Sequence, residues 1–106
     1  MQWHNLTDIS QLEIVEDVSN KDTVFIFKHS TRCSISAMAK ARLERLDGLK
    51  QSIYYLDLIK HREISNLIAE RYDVQHESPQ LLVLKNRQVV DVFNHSDIAE
   101  HNLRGL

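Results

Sequence analysis

The sequence has one cysteine, one proline and two glycines, and each scarcity narrows what the chain can be. With Cys33 as the only thiol, no intramolecular disulfide can form. So few glycines and prolines leave no linker and no low-complexity segment. No apolar run approaches the roughly 20 residues needed to cross a bilayer. The first twenty residues also lack the basic segment and apolar run of a secretory signal. Positive charge is short as well: 13 Lys and Arg against 15 Asp and Glu give a net charge of −2. That offers no basic field to a nucleic-acid backbone. Six histidines are scattered and form no recognisable ligand pair, so no metal site is expected. Together these absences predict a cytoplasmic protein, with neither nucleic-acid nor membrane partners, whose thiol stays reduced unless a partner oxidises it.

What is present is an ordinary globular composition, 42% hydrophobic and 26% charged over 106 residues. That length holds one core, so residues 1–106 are read as a single domain. "TDISQLEIVEDVSN" (7–20) predicts a helix capped by Thr7, with Ile9, Leu12, Val15 and Val18 on one face. "TVFIFKH" (23–29) has the β-branched and aromatic character of a buried strand. From Cys33 to Leu46 the pattern is helical, with Ile35, Ala39, Leu43 and Leu46 as its stripe and Gly48 placed to stop it. "SIYYLDL" (52–58) reads as a strand and "HREISNLIAERYDV" (61–74) as a helix. "QLLVL" and "QVVDVF", joined at "KNR", read as a hairpin. A last helix would be capped by Ser96 or Asp97. The order α-β-α-β-α-β-β-α predicts an α/β domain, a four-stranded mixed sheet flanked by helices with an extra N-terminal helix.

Cys33 falls just after a strand and at the start of a helix. There it meets unsatisfied backbone N–H groups and the positive end of the helix dipole, both of which favour thiolate over thiol. Lys28, His29 and Arg32 precede it and add positive potential if they point the same way. Ser34 and Ser36 are placed to donate hydroxyl hydrogen bonds to the sulfur. No carboxylate in "TVFIFK" is available as a buried proton acceptor, which leaves Lys28 or solvent to manage the proton. A lone cysteine is as readily an inert buried hydrophobe; its position at a strand–helix junction favours the reactive reading.

Ser36 occupies the place of the second cysteine in a C-x-x-C motif. A C-x-x-C protein ejects a mixed disulfide with its own second thiol, whereas a C-x-x-S protein waits for an external one. That suits capture of a small thiol from a modified protein. The single proline, in Ser78-Pro79, lies just before a strand, about 45 residues downstream. Either it starts an edge strand in trans, or it is a cis-proline beside the cysteine; the strand–Cys–helix unit upstream favours cis. Tyr54 and Tyr55 should point to opposite faces of their strand. Trp3 packs the N-terminal helix or lies exposed, and Asp57 is read as a loop residue.

"KHSTRCSIS" followed by a helix, with "ESPQLLVL" downstream, resembles the monothiol bacilliredoxins, the YtxJ-like family of thioredoxin-fold proteins. The likeness runs over nearly the whole chain. Thr31, Cys33, Ile35 and Ser36 match the pattern T-x-C-x-I-S, while Ser34 stands where the family frequently has proline. The resemblance implies a thioredoxin-like fold and removal of bacillithiol, a cysteine–glucosamine–malate thiol, from S-bacillithiolated proteins. Carried onto this chain, Cys33 is the attacking thiol, with Thr31 beside it and Ser78-Pro79 as the substrate-docking turn. Bacillithiol is then a co-substrate, with no tightly bound cofactor. By likeness to glutaredoxins, the N–H groups at Ser96 and Asp97 would receive a malate carboxylate, aided by His95 if protonated. Two other readings share Cys33: a monothiol-glutaredoxin-like module holding an iron–sulfur cluster between two chains, and a peptide-binding adaptor that docks at Ser78-Pro79.

Overall fold

The structure, a computed structural model, describes residues 1–46, 48–104 and 106. It is a three-layer α/β/α arrangement built from β1 (Gln2–Asn5), α1 (Gln11–Ser19), β2 (Val24–His29), α2 (Ser34–Glu44), β3 (Ser52–Asp57), α3 (Arg62–Arg71), β4 (Gln80–Lys85), β5 (Gln88–Asn94) and α4 (Glu100–Leu103). The sheet has five strands in the order β1-β3-β2-β4-β5, one more than expected. The addition is β1, whose four residues "QWHN" pair in parallel with β3 at the sheet edge. Such a segment has no apolar alternation to announce it, and it forms because β3 offers an unpaired edge.

β2 is buried along its whole length, parallel to β3 and antiparallel to β4. Its alternation divides the core. Val24 and Ile26 join Leu12, Val15, Ile64 and Ile68 under α1 and α3, while Phe25 and Phe27 join Ala39, Leu43, Ile98 and Leu103 under α2 and α4. Tyr54 and Tyr55 part in the same way, one to each face. Trp3 packs on the α2 face, away from α1; its ring lies 6.4 Å from that of Tyr55, with the Lys40 ammonium 5.8 Å above it.

Several boundaries differ from expectation. Thr7 does not cap α1; the Gln11 Oε1 accepts the N–H groups of Thr7 and Asp8, and the helix begins at Gln11. Ile9 and Ile35, assigned to core stripes, are both exposed. The hairpin turn is Asn86-Arg87, both with positive φ (51° and 65°), the backbone required by a two-residue turn of the mirror-image type I class. A bulge after Val83 throws Val90 outward.

Arg87, unusual in a left-handed conformation, is held from α1. Its guanidinium meets Glu13, Glu16 and Asp17, and its N–H donates to Ser19 Oγ at 2.8 Å. Glu16 is the hub: its side chain is 6% exposed and receives Arg71, Arg87 at 3.2 Å and the Tyr72 hydroxyl at 3.0 Å. One carboxylate thus joins α1, α3 and the hairpin. Glu16→Gln should lower the unfolding free energy by about 2 kcal/mol, since two guanidinium groups lose the negative charge they share and one of the two acceptor oxygens becomes an amide donor. A shift of the urea midpoint at unchanged m-value would show it.

Lys28 is fully buried on the α1/α3 face. Its Nζ donates to the Ser65 carbonyl at 3.1 Å and lies 3.4 Å from His76 Nδ1, with no carboxylate among these partners. Burial pushes its pKa down from 10.5 to about 8. The folded state therefore binds the Lys28 proton less tightly than the unfolded chain does. The cost of burying the cation is complete below pH 8 and fades as pH rises towards 10.5. Relative to Lys28→Met, the native protein should gain on the order of 2–3 kcal/mol of stability between these limits. Urea unfolding of both proteins at several pH values measures this; parallel stability curves would refute it.

Candidate functional site

Cys33 is the N-cap residue of α2, in extended conformation (φ −112°, ψ 122°), and is half-buried. Its carbonyl accepts the Ala37 N–H, and its own N–H closes a turn onto the Ser30 carbonyl at 3.2 Å. Thr31 and Arg32 form the exposed corner of that turn. Cys33 therefore stands at the N-terminus of an 11-residue helix, whose first-turn N–H groups have no helical partners, and its side chain makes no capping hydrogen bond. Ser34, exposed, is the first helical residue.

The polar residues expected around the sulfur are distributed differently. Alternation sends Lys28 to the opposite face of the sheet, so it belongs with Ser65 and His76 rather than with Cys33. Ser36 is wholly buried, and its Oγ accepts the Ser30 N–H at 3.0 Å while lying 2.8 Å from His29 Nδ1. Among the described residues no hydrogen bond joins the sulfur to Lys28, Arg32, Ser34 or Ser36. The basic residue that shares the cysteine's face is His29, which is 5% exposed, its ring 5.4 Å from Tyr55 and 5.6 Å from Phe27. Phe27 leaves this face without a buried carboxylate, as the sequence indicated. The nearest acid on β3 is Asp57, the register partner of His29; its Oδ1 caps the following turn through the N–H groups of Ile59 and Lys60.

The Ser78-Pro79 turn lies at the same end of the sheet. Its bond is cis, and Pro79 directly precedes Gln80, the register partner of Lys28. Gln80, fully buried, ties the turn through Nε2 to the Gln75 carbonyl at 2.9 Å and to Asn94 at 3.0 Å. The His95 N–H donates to the Pro79 carbonyl, and its ring reaches Glu77 at 3.6 Å. Ser78 Oγ is buried and, among the described residues, has no partner.

The helix expected to start at Ser96 or Asp97 does not start there. His95–Asp97 is a 3₁₀ turn, and α4 begins at Glu100 after Ala99. Four helical residues supply little dipole, and both Ser96 and Asp97 are exposed, so the carboxylate seat expected at this place lacks its helix start. A surface feature takes its place in interest: Ile35 and Met38, 54% and 58% exposed, form an apolar strip along α2 beside Cys33. Among the described residues there is no cluster of three or more His, Cys, Asp or Glu able to hold a metal, and no helix is long and apolar enough to cross a membrane.

A partly exposed cysteine at a helix start, a serine one turn on and a cis-proline turn at the same end of the sheet are an arrangement chemically able to exchange disulfides through one thiol. Known proteins are similar to this chain. A solved structure named for an inferred oxidoreductase activity and a thioredoxin fold superposes with a TM-score of 0.84 at 33% identity, covering 97% of this chain and 91% of its own. Thioredoxin from Fasciola hepatica superposes at 0.75 with 19% identity, covering 99% and 94% of the two chains. Thioredoxin from Malassezia sympodialis does so at 0.72 with 17% identity, covering 99% and 86%. These last two share the thioredoxin fold. The family described as Monothiol bacilliredoxin BrxC matches residues 4–103. The chain belongs to the monothiol bacilliredoxin family, thiol oxidoreductases of thioredoxin fold.

Proposed function

We propose that the protein removes bacillithiol from S-bacillithiolated proteins in the cytoplasm through a mixed disulfide at Cys33. The observation that carries this reading is Ser36 at the position of a resolving thiol, buried and hydrogen-bonded, beneath a half-exposed Cys33. The Cys33 thiolate attacks the bacillithiol sulfur of the modified protein. The old S–S bond breaks, the protein thiolate leaves with the electron pair and takes a proton from solvent, and Cys33 carries bacillithiol. With no second cysteine, that adduct persists until a free bacillithiol thiolate attacks it. This second exchange restores Cys33 and yields oxidised bacillithiol for a separate reductase.

A protein substrate is favoured over a free small disulfide by the surroundings of the sulfur. The Ile35–Met38 strip is an apolar apron on one side of Cys33, and Ser78-Pro79 presents backbone for an extended segment at the same end of the sheet. Arg32 and Thr31, both exposed at the corner of the turn, would then meet the polar tail of the small thiol.

Incubating the protein with a bacillithiolated substrate should give, by intact-mass measurement, an adduct of one bacillithiol less one hydrogen on Cys33. The substrate thiol should appear at the same rate. Cys33→Ala should give neither product. Transfer from a glutathionylated version of the same substrate should be slower. Equal rates with both would remove the bacillithiol preference, and no adduct with either would remove the oxidoreductase role of Cys33.

A further inference from the structure

His29 has no part in the chemistry described so far, yet among the described residues it is the one titratable group buried on the cysteine's side of the sheet at the end of β2. Its Nδ1 lies 2.8 Å from Ser36 Oγ, an oxygen that already accepts the Ser30 N–H at 3.0 Å. Other charged or titratable groups facing the ring are Lys40 and Glu44 from α2, and Asp57 and Tyr55 from β3. Burial, and then Lys40, hold its pKa below the ordinary histidine value, against the opposing influence of Asp57, the Ser36 bond and Glu44. The imidazole is therefore neutral at neutral pH.

A hydroxyl has one proton and two lone pairs. The Ser30 N–H takes one lone pair of Ser36 Oγ, which leaves two arrangements with His29. Where Nδ1 is bare, it accepts the Ser36 proton, and the hydroxyl offers only a lone pair to the first turn of α2. Where Nδ1 carries a proton, it fills the second lone pair and leaves the Ser36 O–H free to donate. Cys33 is the N-cap of that turn and Ser36 its third residue. A free donor there favours the attacking thiolate, whereas a free lone pair favours the thiol.

We propose that His29 is a positioning residue for thiol–disulfide exchange at Cys33: its Nδ1 sets whether the Ser36 hydroxyl presents a proton or a lone pair at the start of α2. In the exchange the Cys33 thiolate forms a bond to one sulfur of a disulfide, and the other leaves as thiolate and takes its proton from solvent. His29 and Ser36 bias the charge on Cys33 beforehand and lose no proton in the step. Protonation at acid pH places a hydrogen on Nδ1 and frees the Ser36 donor, so thiolate character should decline less steeply than for an isolated thiol. The proposal rests on Cys33 as nucleophile and is independent of which small thiol the enzyme prefers.

The test is the second-order rate constant of Cys33 with 4,4′-dithiodipyridine, followed against pH in the native protein and in His29→Phe, His29→Asn, Ser36→Ala and the His29→Phe/Ser36→Ala double variant. The native profile should show an inflection below about pH 6.5 in addition to that of the thiol. With Nδ1 bare at neutral pH, His29→Phe frees the Ser36 donor and should raise the neutral rate about fivefold, while the same substitution in the Ser36→Ala background should change nothing. His29→Asn, which supplies a donor to Ser36 but does not titrate, should show the same raised rate without the acid inflection. An unchanged or lowered neutral rate in His29→Phe, an effect of that substitution that persists in the double variant, or an acid inflection that survives His29→Phe, would overturn the proposal. Nitrogen-15 shifts of the His29 ring read the tautomer without any core substitution. They should change between the free and disulfide-capped forms of Cys33 in the native protein and be insensitive to capping in Ser36→Ala. Shifts indifferent to capping in the native protein would equally count against it.

Discussion

β2 is closed off on both faces and on both edges, and it has no solvent-facing side to which a polar residue can be turned. Its last two residues are nevertheless a lysine and a histidine. Strand alternation sends Lys28 beneath α3 and the cis-proline turn, and His29 beneath α2 and the cysteine turn. Each must then find neutral partners in a dry place. Lys28 takes a carbonyl and an imidazole nitrogen, while His29 takes a serine hydroxyl. The two loops that make the site are thus tied to the same strand end from opposite faces. Moving either side chain would leave buried polar groups unpaired, at about 1–3 kcal/mol each.

Polar bonds of this kind do here what glycine-rich turns do elsewhere. The cysteine turn is closed by Cys33 N–H on the Ser30 carbonyl and by Ser30 N–H on Ser36. The cis-proline turn is closed by Gln80 on Gln75 and Asn94, and by His95 on Pro79. Apolar packing beneath is nearly complete, with Phe25, Phe27, Leu81 and Val83 on one side and Ile26, Leu56 and Leu82 on the other, all at 0% exposure. The frame is therefore rigid where the sulfur is held. Two of the three buried side-chain atoms without a partner among the described residues, Ser78 Oγ and Gln80 Oε1, sit in or directly after the cis-proline turn.

The order of the central elements was legible because it rests on local pattern: β-branched and aromatic runs for β2 to β4, an apolar stripe for α3, and turn chemistry at Asn86. The cysteine's place at a strand–helix junction followed from the same pattern. What escaped depended on the sheet as a whole. "QWHN" is a strand only because β3 has an open edge, and Trp3 faces α2 only because that strand exists. Alternation implied that Lys28 and His29 diverge, but which of them meets the cysteine depends on which face α2 covers. No single-strand pattern carries that information. Ile35 looked like core from its spacing to Ala39, yet the helix buries Ser36, Ala39 and Leu43 and leaves Ile35 on the rim. The carboxylate seat at Ser96 and Asp97 assumed a helix that the bonds of His95 and the turn after β5 do not permit.

Ser34 is the one departure from the family's frequent pattern at the cysteine, and its position fixes what the exchange of side chains does. It is the first residue of α2, where proline is well tolerated because that N–H has no partner within the helix. Proline there presets φ and stiffens the turn, but it removes a donor. Serine keeps that N–H directly after the sulfur-bearing residue and adds an exposed hydroxyl. The turn thus gives up some preorganisation and gains one donor to an anion at Cys33. The stiffness given up is supplied from within, because Ser36 clamps Ser30 across the turn and is itself clamped by His29. A serine at position 34 is therefore compatible with a monothiol nucleophile so long as the His29–Ser36–Ser30 chain beneath it stays intact.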